Sequence, residues 1–312
     1  MDQQRPQVGY LSQLAIILGL TGFFLVAGAA ALALITKLMH IPLSQLSEAT
    51  SANGKTLGIL NTALSVFIFL GPAIAFAWIV GRRPLGYLGL TTGINAWQAG
   101  LVVILTIAAM FLGGALTTLT LKIPLSSEWL AAAKKYEDQY QDMVMAMAQM
   151  KNTKDLLLVF VVLACAPAIF EELFFRGMIQ QFLVNWSKKP FISILVTSII
   201  FSAVHLSYFG FLPRLALGMV LGYIFYYTKS IWLNILLHLV NNGYIVMALY
   251  IASRQGKLQE AIASDSEALP LYVGVIALAL ICVLFVILRR VTPRRTDSPT
   301  GLSFPLKPIF ND

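Results

Sequence analysis

The sequence predicts an all-α, polytopic membrane protein with about eight transmembrane helices. Hydrophobic residues make up 58% of the 312 residues and charged residues only 12%, whereas soluble domains carry about 25% charged residues. The mean hydropathy is +0.78. The apolar residues also fall into separate runs that approach the roughly 20 residues required to span a bilayer. These three observations exclude an ordinary soluble fold.

The candidate spans are 11–36, 59–80, 96–121, 156–184, 190–208, 211–228, 231–252 and 269–288. The sixth is the least apolar, and we expect Arg214, near its end, to extend to the membrane interface. The first span contains AGAA at 27–30, which resembles a signal-peptide cleavage site. Its apolar run continues to Ile35, so we expect a retained helix.

The distribution of basic residues predicts that both termini are cytoplasmic. With this orientation the cytoplasmic segments hold eleven basic residues and three acids, and the opposite segments hold ten basic residues and nine acids. An excess of Lys and Arg on the cytoplasmic side is the usual pattern in membrane proteins.

The basic residues occur in pairs between apolar runs and near the C-terminal end, without the basic stripe and interleaved aromatics typical of nucleic-acid binding. We therefore expect membrane lipid and no nucleic acid as a partner. Cys165 and Cys282 both lie in apolar runs, which indicates small core residues instead of a disulfide or metal pair.

The spans divide the chain into five regions. The longest loop contains an amphipathic segment near 125–150, which begins after Pro124 and alternates charge with Met and Ala. It is typical of an interfacial helix, with a Met-rich lid or substrate gate as the functional alternative. The predicted regions are a three-helix membrane region (1–122), this interfacial segment (123–154), a four-helix core (155–252), a loop with the last span (253–290) and a cytoplasmic tail (291–312).

The fourth span contains APAIFEELFFRGM, which places three charged residues in an apolar run. Burying an unpaired charge in a membrane helix costs roughly several kcal/mol of free energy. Ionisable residues at such positions therefore indicate a functional site. Glu172 and Arg176 are four residues apart and can pair on one helix face. Glu171 points about 100° away and has no partner on its own helix. The pair can be purely structural, whereas Glu171 is left free to act as a general base.

Other membrane spans contain the remaining polar candidates. His205 lies on the fifth, and His238 with Asn242 lies on the seventh. Counting about 1.5 Å per residue from the nearest turn gives these groups scattered depths, so their convergence needs a tilt or a break near Pro167. If these side chains converge with Glu171, together they could activate a water molecule and hydrolyse an acyl bond.

A zinc site is the alternative for the same residues, with Glu171, His205 and His238 as ligands and Glu172 as base. The sequence has no HExxH motif, and pairing with Arg176 already accounts for the second carboxylate. We therefore expect no metal and no other cofactor.

EELFFRG (171–177) resembles the EExxxR motif of the CAAX protease and bacteriocin-processing family, which includes the type II CAAX prenyl endopeptidases. FSAVH (201–205) is similar to the family's FxxxH motif, and HLVNN (238–242) to its HxxxN motif. The resemblance covers about 155–250. It implies an eight-helix intramembrane glutamate protease.

By motif position, the resemblance implies that Glu171 activates water and that Glu172 and Arg176 support it. His205, His238 and Asn242 complete the site.

The sequence therefore predicts an endopeptidase acting on a membrane-associated peptide, prenylated and CAAX-type or bacteriocin-like. The compact chain favours the inner membrane of a bacterium. Two other functions stay open. A non-catalytic immunity or membrane-binding protein could sequester a peptide in the same cavity. A proton-coupled transporter could relay protons through Glu and His, although no inverted repeat is apparent.

Overall fold

The computed structural model describes residues 8–42, 50, 53–81, 83–264 and 268–292. This part of the chain is helical and contains no strand, which confirms the predicted all-α class. The helices are α1 (Tyr10–Leu38), α2 (Gly54–Val80), α3 (Pro84–Tyr87), α4 (Ala96–Leu121), α5 (Ser127–Ala148), α6 (Thr153–Ser187), α7 (Pro190–Ala203), α8 (Phe211–Thr228), α9 (Ile231–Gln255), α10 (Leu258–Ser264) and α11 (Leu271–Val291).

Seven helices in the described ranges are long and apolar enough to cross a membrane: α1, α2, α4, α6, α8, α9 and α11. The predicted span 190–208 forms the shorter helix α7, which ends at Ala203. Its 14 residues extend about 21 Å, less than the roughly 30 Å of a hydrocarbon core. The chain is thus a multi-pass membrane protein, and the cytoplasmic position of its termini stays a prediction.

Several helix ends have a clear chemical cause. The side chain of Asn95 accepts a hydrogen bond from the backbone N–H of Gln98 at 2.9 Å, and the Gln98 side chain accepts from the Asn95 N–H at 3.3 Å, so α4 begins with a capping box. Ser126 caps α5, which begins after Pro124 as predicted. Lys188 and Lys229, which end α6 and α8, have left-handed backbone conformations.

The helices pack around two main apolar clusters. One cluster joins α1, α2 and α6 with residues from α7, α8 and α9, and the other joins α4, α8, α9 and α11. Many large apolar side chains on the outer faces are exposed, among them Phe23, Trp78 and Val275. A surface of this kind suits lipid.

The predicted amphipathic segment forms α5, whose C-terminal residues Ala146–Ala148 are buried. Its assignment to the interface, or to a lid, stays a prediction. Both cysteines are free. Cys282 is exposed on the outer face of α11, so it does not belong to the core.

Helices α7 and α8 approach closely because Gly218 faces Ser198. A Cβ atom at Gly218 would lie 2.9 Å from the Ser198 Cβ, closer than such atoms pack. Small residues permit this kind of contact between membrane helices. The close approach brings the backbone of α8 within reach of the charged residues of α6.

Candidate active site

The charged residues lie in a part of α6 where the helix is not regular. Two π-helical stretches, Val161–Cys165 and Leu173–Gln180, flank the regular turn Ala166–Glu172 that contains Pro167. π-Helical turns add a residue to a turn and are frequent at functional sites. They change which faces of α6 the following side chains occupy, beyond what regular spacing predicts.

Glu172 is fully buried, and its carboxylate has three polar partners. Its Oε1 atom accepts a hydrogen bond from Arg176 Nη1 at 2.8 Å and lies 2.9 Å from Nδ1 of His238. Its Oε2 atom accepts from Nδ2 of Asn234 at 3.2 Å. The ion pair expected from the four-residue spacing is present, and Glu172 is fully occupied by its three partners.

Arg176 is also fully buried, and it joins three helices. Besides Glu172 on α6, it donates from Nη2 to the carbonyl oxygen of Gly218 on α8 at 3.3 Å. Its guanidinium carbon lies 4.6 Å from the ring centre of Phe201 on α7, within cation–π range. The pair therefore fixes the relative positions of α6, α7 and α8.

Glu171 differs from its neighbour in having an unsatisfied oxygen. Its Oε2 atom is buried and has no hydrogen-bond partner among the described residues. The nearest ionisable contact is Nε2 of His205 at 4.0 Å, too long for a direct hydrogen bond. The Glu171 side chain as a whole retains 12% exposure, so it is less completely buried than that of Glu172.

His205 lies beyond the end of α7, in the turn that follows Ala203, and not on a membrane helix as the sequence suggested. Its Nδ1 atom is 2.7 Å from the carbonyl oxygen of Phe201, one of the carbonyls that a helix end leaves without an N–H donor. Since a carbonyl only accepts, Nδ1 carries the hydrogen. A neutral ring then presents the Nε2 lone pair to Glu171.

Phe201 brings the two imidazoles together. Its ring centre lies 5.1 Å from that of His205 and 6.1 Å from that of His238. Residues from α6, α9 and the end of α7 thus converge, which helix counting from the sequence had left open.

Asn242 makes its contacts away from the two carboxylates. Its Nδ2 atom donates to the carbonyl oxygen of Leu163 at 3.1 Å, and its Oδ1 atom accepts from Asn241 at 3.1 Å. In a regular helix the Leu163 carbonyl would accept from residue 167, but Pro167 has no N–H. Asn242 therefore satisfies a carbonyl at the break in α6.

The sequence interpretation missed two polar residues of this site. Asn234 is fully buried and donates both to Glu172 and to the carbonyl oxygen of Leu221, the latter at 2.8 Å. Its position one helical turn before His238 was the available signal. Arg214 was expected to extend to the interface, but its Nη1 atom is buried and it interacts electrostatically with Glu171 and His205.

Both histidine rings use Nδ1 for a fixed contact and leave Nε2 for other partners, a pattern that metal-binding histidines share. Within the described ranges, however, no three His, Cys, Asp or Glu side chains lie close enough together to hold a metal ion.

Fold and site together define a multi-pass helical membrane protein with a buried carboxylate–imidazole cluster. Residues 153–244 match the model of the family described as type II CAAX prenyl endopeptidase Rce1-like. This stretch contains all three motifs, and the match confirms the resemblance to the CAAX protease family. Comparison with curated proteins and with solved structures gave no significant match.

The family indicates a CAAX-type intramembrane protease, and hence a hydrolase. It also implies a peptide or prenylated protein as the substrate in the membrane.

Proposed function

We propose that the protein is an intramembrane glutamate endopeptidase that hydrolyses a peptide bond with water activated by Glu171. One observation carries this proposal. Of two adjacent carboxylates, Glu172 has all its contacts satisfied, whereas Oε2 of Glu171 is buried without a hydrogen-bond partner and faces Nε2 of His205 at 4.0 Å.

In the proposed reaction, water lies between Glu171 and His205. The Nε2 lone pair of His205 accepts one hydrogen of the water and orients it, and Glu171 takes the other as a proton. The water oxygen attacks the carbonyl carbon of the substrate. Collapse of the tetrahedral intermediate breaks the C–N bond, and the proton passes from Glu171 to the leaving amine.

The oxyanion requires donors, and two groups are suited to this role. Asn242 has a second Nδ2 hydrogen besides the one donated to Leu163. His238 can donate from Nε2 only as the imidazolium, because its Nδ1 hydrogen is already donated to the Glu172 carboxylate. Glu172 and Arg176 act through His238 and through the positions of the helices. None of these proposed roles requires a metal ion.

The substrate that the family name favours is a membrane-associated peptide, prenylated and CAAX-type, with a bacteriocin-like peptide as the second candidate. We place the protein in a cell membrane, and a bacterial inner membrane suits the compact chain. Neither the immunity function nor the transporter function gains support from a specific contact.

Glu171→Gln in purified protein tests the proposal directly. Because a general base contributes about 100- to 10,000-fold, we expect cleavage of a fluorogenic farnesylated CAAX peptide to fall by at least about 100-fold. Glu128→Gln is the matched control, since Glu128 lies in the first turn of α5, outside the site. Both variants should keep the thermal transition of the parent. A folded Glu171→Gln protein that still cleaves the peptide would end the proposal.

Metal independence has its own test. Cleavage by the parent protein should persist after exhaustive dialysis against a chelator such as 1,10-phenanthroline. Activity that disappears with the chelator and returns with zinc would assign Glu171, His205 and His238 to a metal instead.

A further inference from the structure

Arg214 is a partly buried cation near the site, and the proposed reaction has no role for it. It lies in the first turn of α8 and is partly exposed as a whole. Its Nη1 atom, however, is buried and has no hydrogen-bond partner in the part of the chain that the structure describes. A buried donor without an acceptor costs about 1–3 kcal/mol, and more when it is charged. Such a group indicates a partner that arrives from outside the chain.

The position of this guanidinium is defined by its surroundings. It lies against the backbone of Gly210, where any Cβ atom would overlap it. The loop that contains Gly210 is itself held in place. Ser202 donates to the Phe211 carbonyl at 2.7 Å, and Ser207 accepts from the Gly210 N–H at 3.1 Å. The Arg214 guanidinium therefore packs against a loop backbone that hydrogen bonds hold in place.

The electrostatic neighbours of Arg214 are Glu171 and His205, the two groups proposed to hold the water. Arg214 forms no ion pair with Glu171 in the described residues, although Glu171 has an unpaired oxygen. Among the buried polar atoms of the cluster that have no partner in the described residues are an acceptor, Glu171 Oε2, and a donor, Arg214 Nη1, which do not bind each other; Arg176 Nε and Asn234 Oδ1 are in the same state. The acceptor suits water, and the donor suits an anionic oxygen of the substrate.

We propose that Arg214 binds the C-terminal carboxylate of the peptide substrate. A guanidinium matches a carboxylate with two parallel N–H donors. Arg214 interacts electrostatically with Glu171 and His205, so a carboxylate bound to it would bring a peptide bond near a free chain end to the proposed water, as in a C-terminal CAAX sequence. The inference rests on the proposed endopeptidase function and adds a rule for substrate choice.

The test compares two farnesylated CAAX peptides that differ only at the C-terminus, one a free acid and the other a carboxamide. The parent protein should cleave the acid with a kcat/KM about 10- to 100-fold above that of the amide, the range of a charged hydrogen bond. Arg214→Gln should lower the acid rate more than the amide rate, so that the preference for the acid falls to within about threefold.

Arg254→Gln is the matched control. It also removes one arginine, but Arg254 lies in the last turn of α9 and donates to the Lys151 carbonyl at 2.6 Å. It should keep the full preference for the acid. If Arg214→Gln does not fold, Arg214→Lys keeps the charge with a single donor centre and should give an intermediate preference.

Three results would overturn the inference. Equal losses on acid and amide would assign Arg214 to the reacting oxygens or to the fold. An unchanged preference for the acid in Arg214→Gln would assign the carboxylate to another residue. If the rate loss of Arg214→Gln depends on anionic phosphatidylglycerol in the membrane and not on the peptide C-terminus, Arg214 binds a lipid phosphate instead. Failure of the proposed function looks different, since the parent protein would then cleave neither peptide.

Discussion

The buried ion pair between Glu172 and Arg176 gives a quantitative prediction for stability. Both side chains are fully buried, so replacing Arg176 with Met leaves the Glu172 carboxylate without its cation. Removing one partner of a buried pair costs about 3–5 kcal/mol. Arg176 also contacts the Gly218 carbonyl and the Phe201 ring, which favours the upper part of this range. The loss would be a large fraction of a typical total of about 5–15 kcal/mol.

The chain offers a matched control in the ion pair between Lys55 and Asp155, whose side chains are 33% and 17% exposed. Exposed pairs contribute about 0–1 kcal/mol because solvent screens them. Lys55→Met should therefore lower the unfolding free energy by less than about 1 kcal/mol. The contrast between the two variants measures the effect of burial on otherwise similar substitutions.

Unfolding can be followed by adding sodium dodecyl sulfate to protein in mild detergent and recording the fluorescence of its five tryptophans. The double variant Glu172→Gln with Arg176→Met should be more stable than Arg176→Met alone, because no unpaired charge remains. Equal stabilities for Arg176→Met and Lys55→Met would refute the reasoning. So would a double variant whose loss equals the sum of the two single losses.

Two further predictions concern the asparagines of α9. Asn234→Ala removes the donor to Glu172 and should lower the unfolding free energy by about 2–3 kcal/mol, whereas Asn61→Ala, at an exposed site, should have little effect; equal losses would contradict this role. Asn242→Ala should cost about 1–3 kcal/mol by leaving the Leu163 carbonyl unpaired, and Pro167→Ala in the same chain should recover part of that loss by restoring an N–H. A double variant no more stable than Asn242→Ala would show that Pro167 is not the cause.

Spacing along one helix was sufficient to predict the local chemistry of α6. The separation of four residues predicted the bond between Glu172 and Arg176, and the rotation of about 100° predicted that Glu171 stays outside it. Both follow from helix geometry, which local sequence determines. The ends of most spans were predicted within a few residues for the same reason, since each follows an apolar run.

The sequence could not predict where α7 ends. The apolar run continues past Ala203, and only the turn at residues 204–210 shows that His205 caps the Phe201 carbonyl outside the helix. The role of Asn234 was also invisible, because an asparagine within an apolar run has no partner until α6 and α9 cross. The same holds for Arg214, whose direction depends on the fold of the loop at Gly210.

By itself, the sequence determined the class of the protein, the positions of most of its apolar helices and the residues able to carry chemistry, because hydropathy and helical periodicity are properties of local segments. The tertiary structure alone decided which groups on other helices contact Glu172, how the two imidazoles pack against Phe201 and which arginine lies beside them. Those contacts join residues far apart in the chain, in the case of Glu172 and His238 more than sixty positions. They depend on helix crossings and close approaches that no single segment encodes.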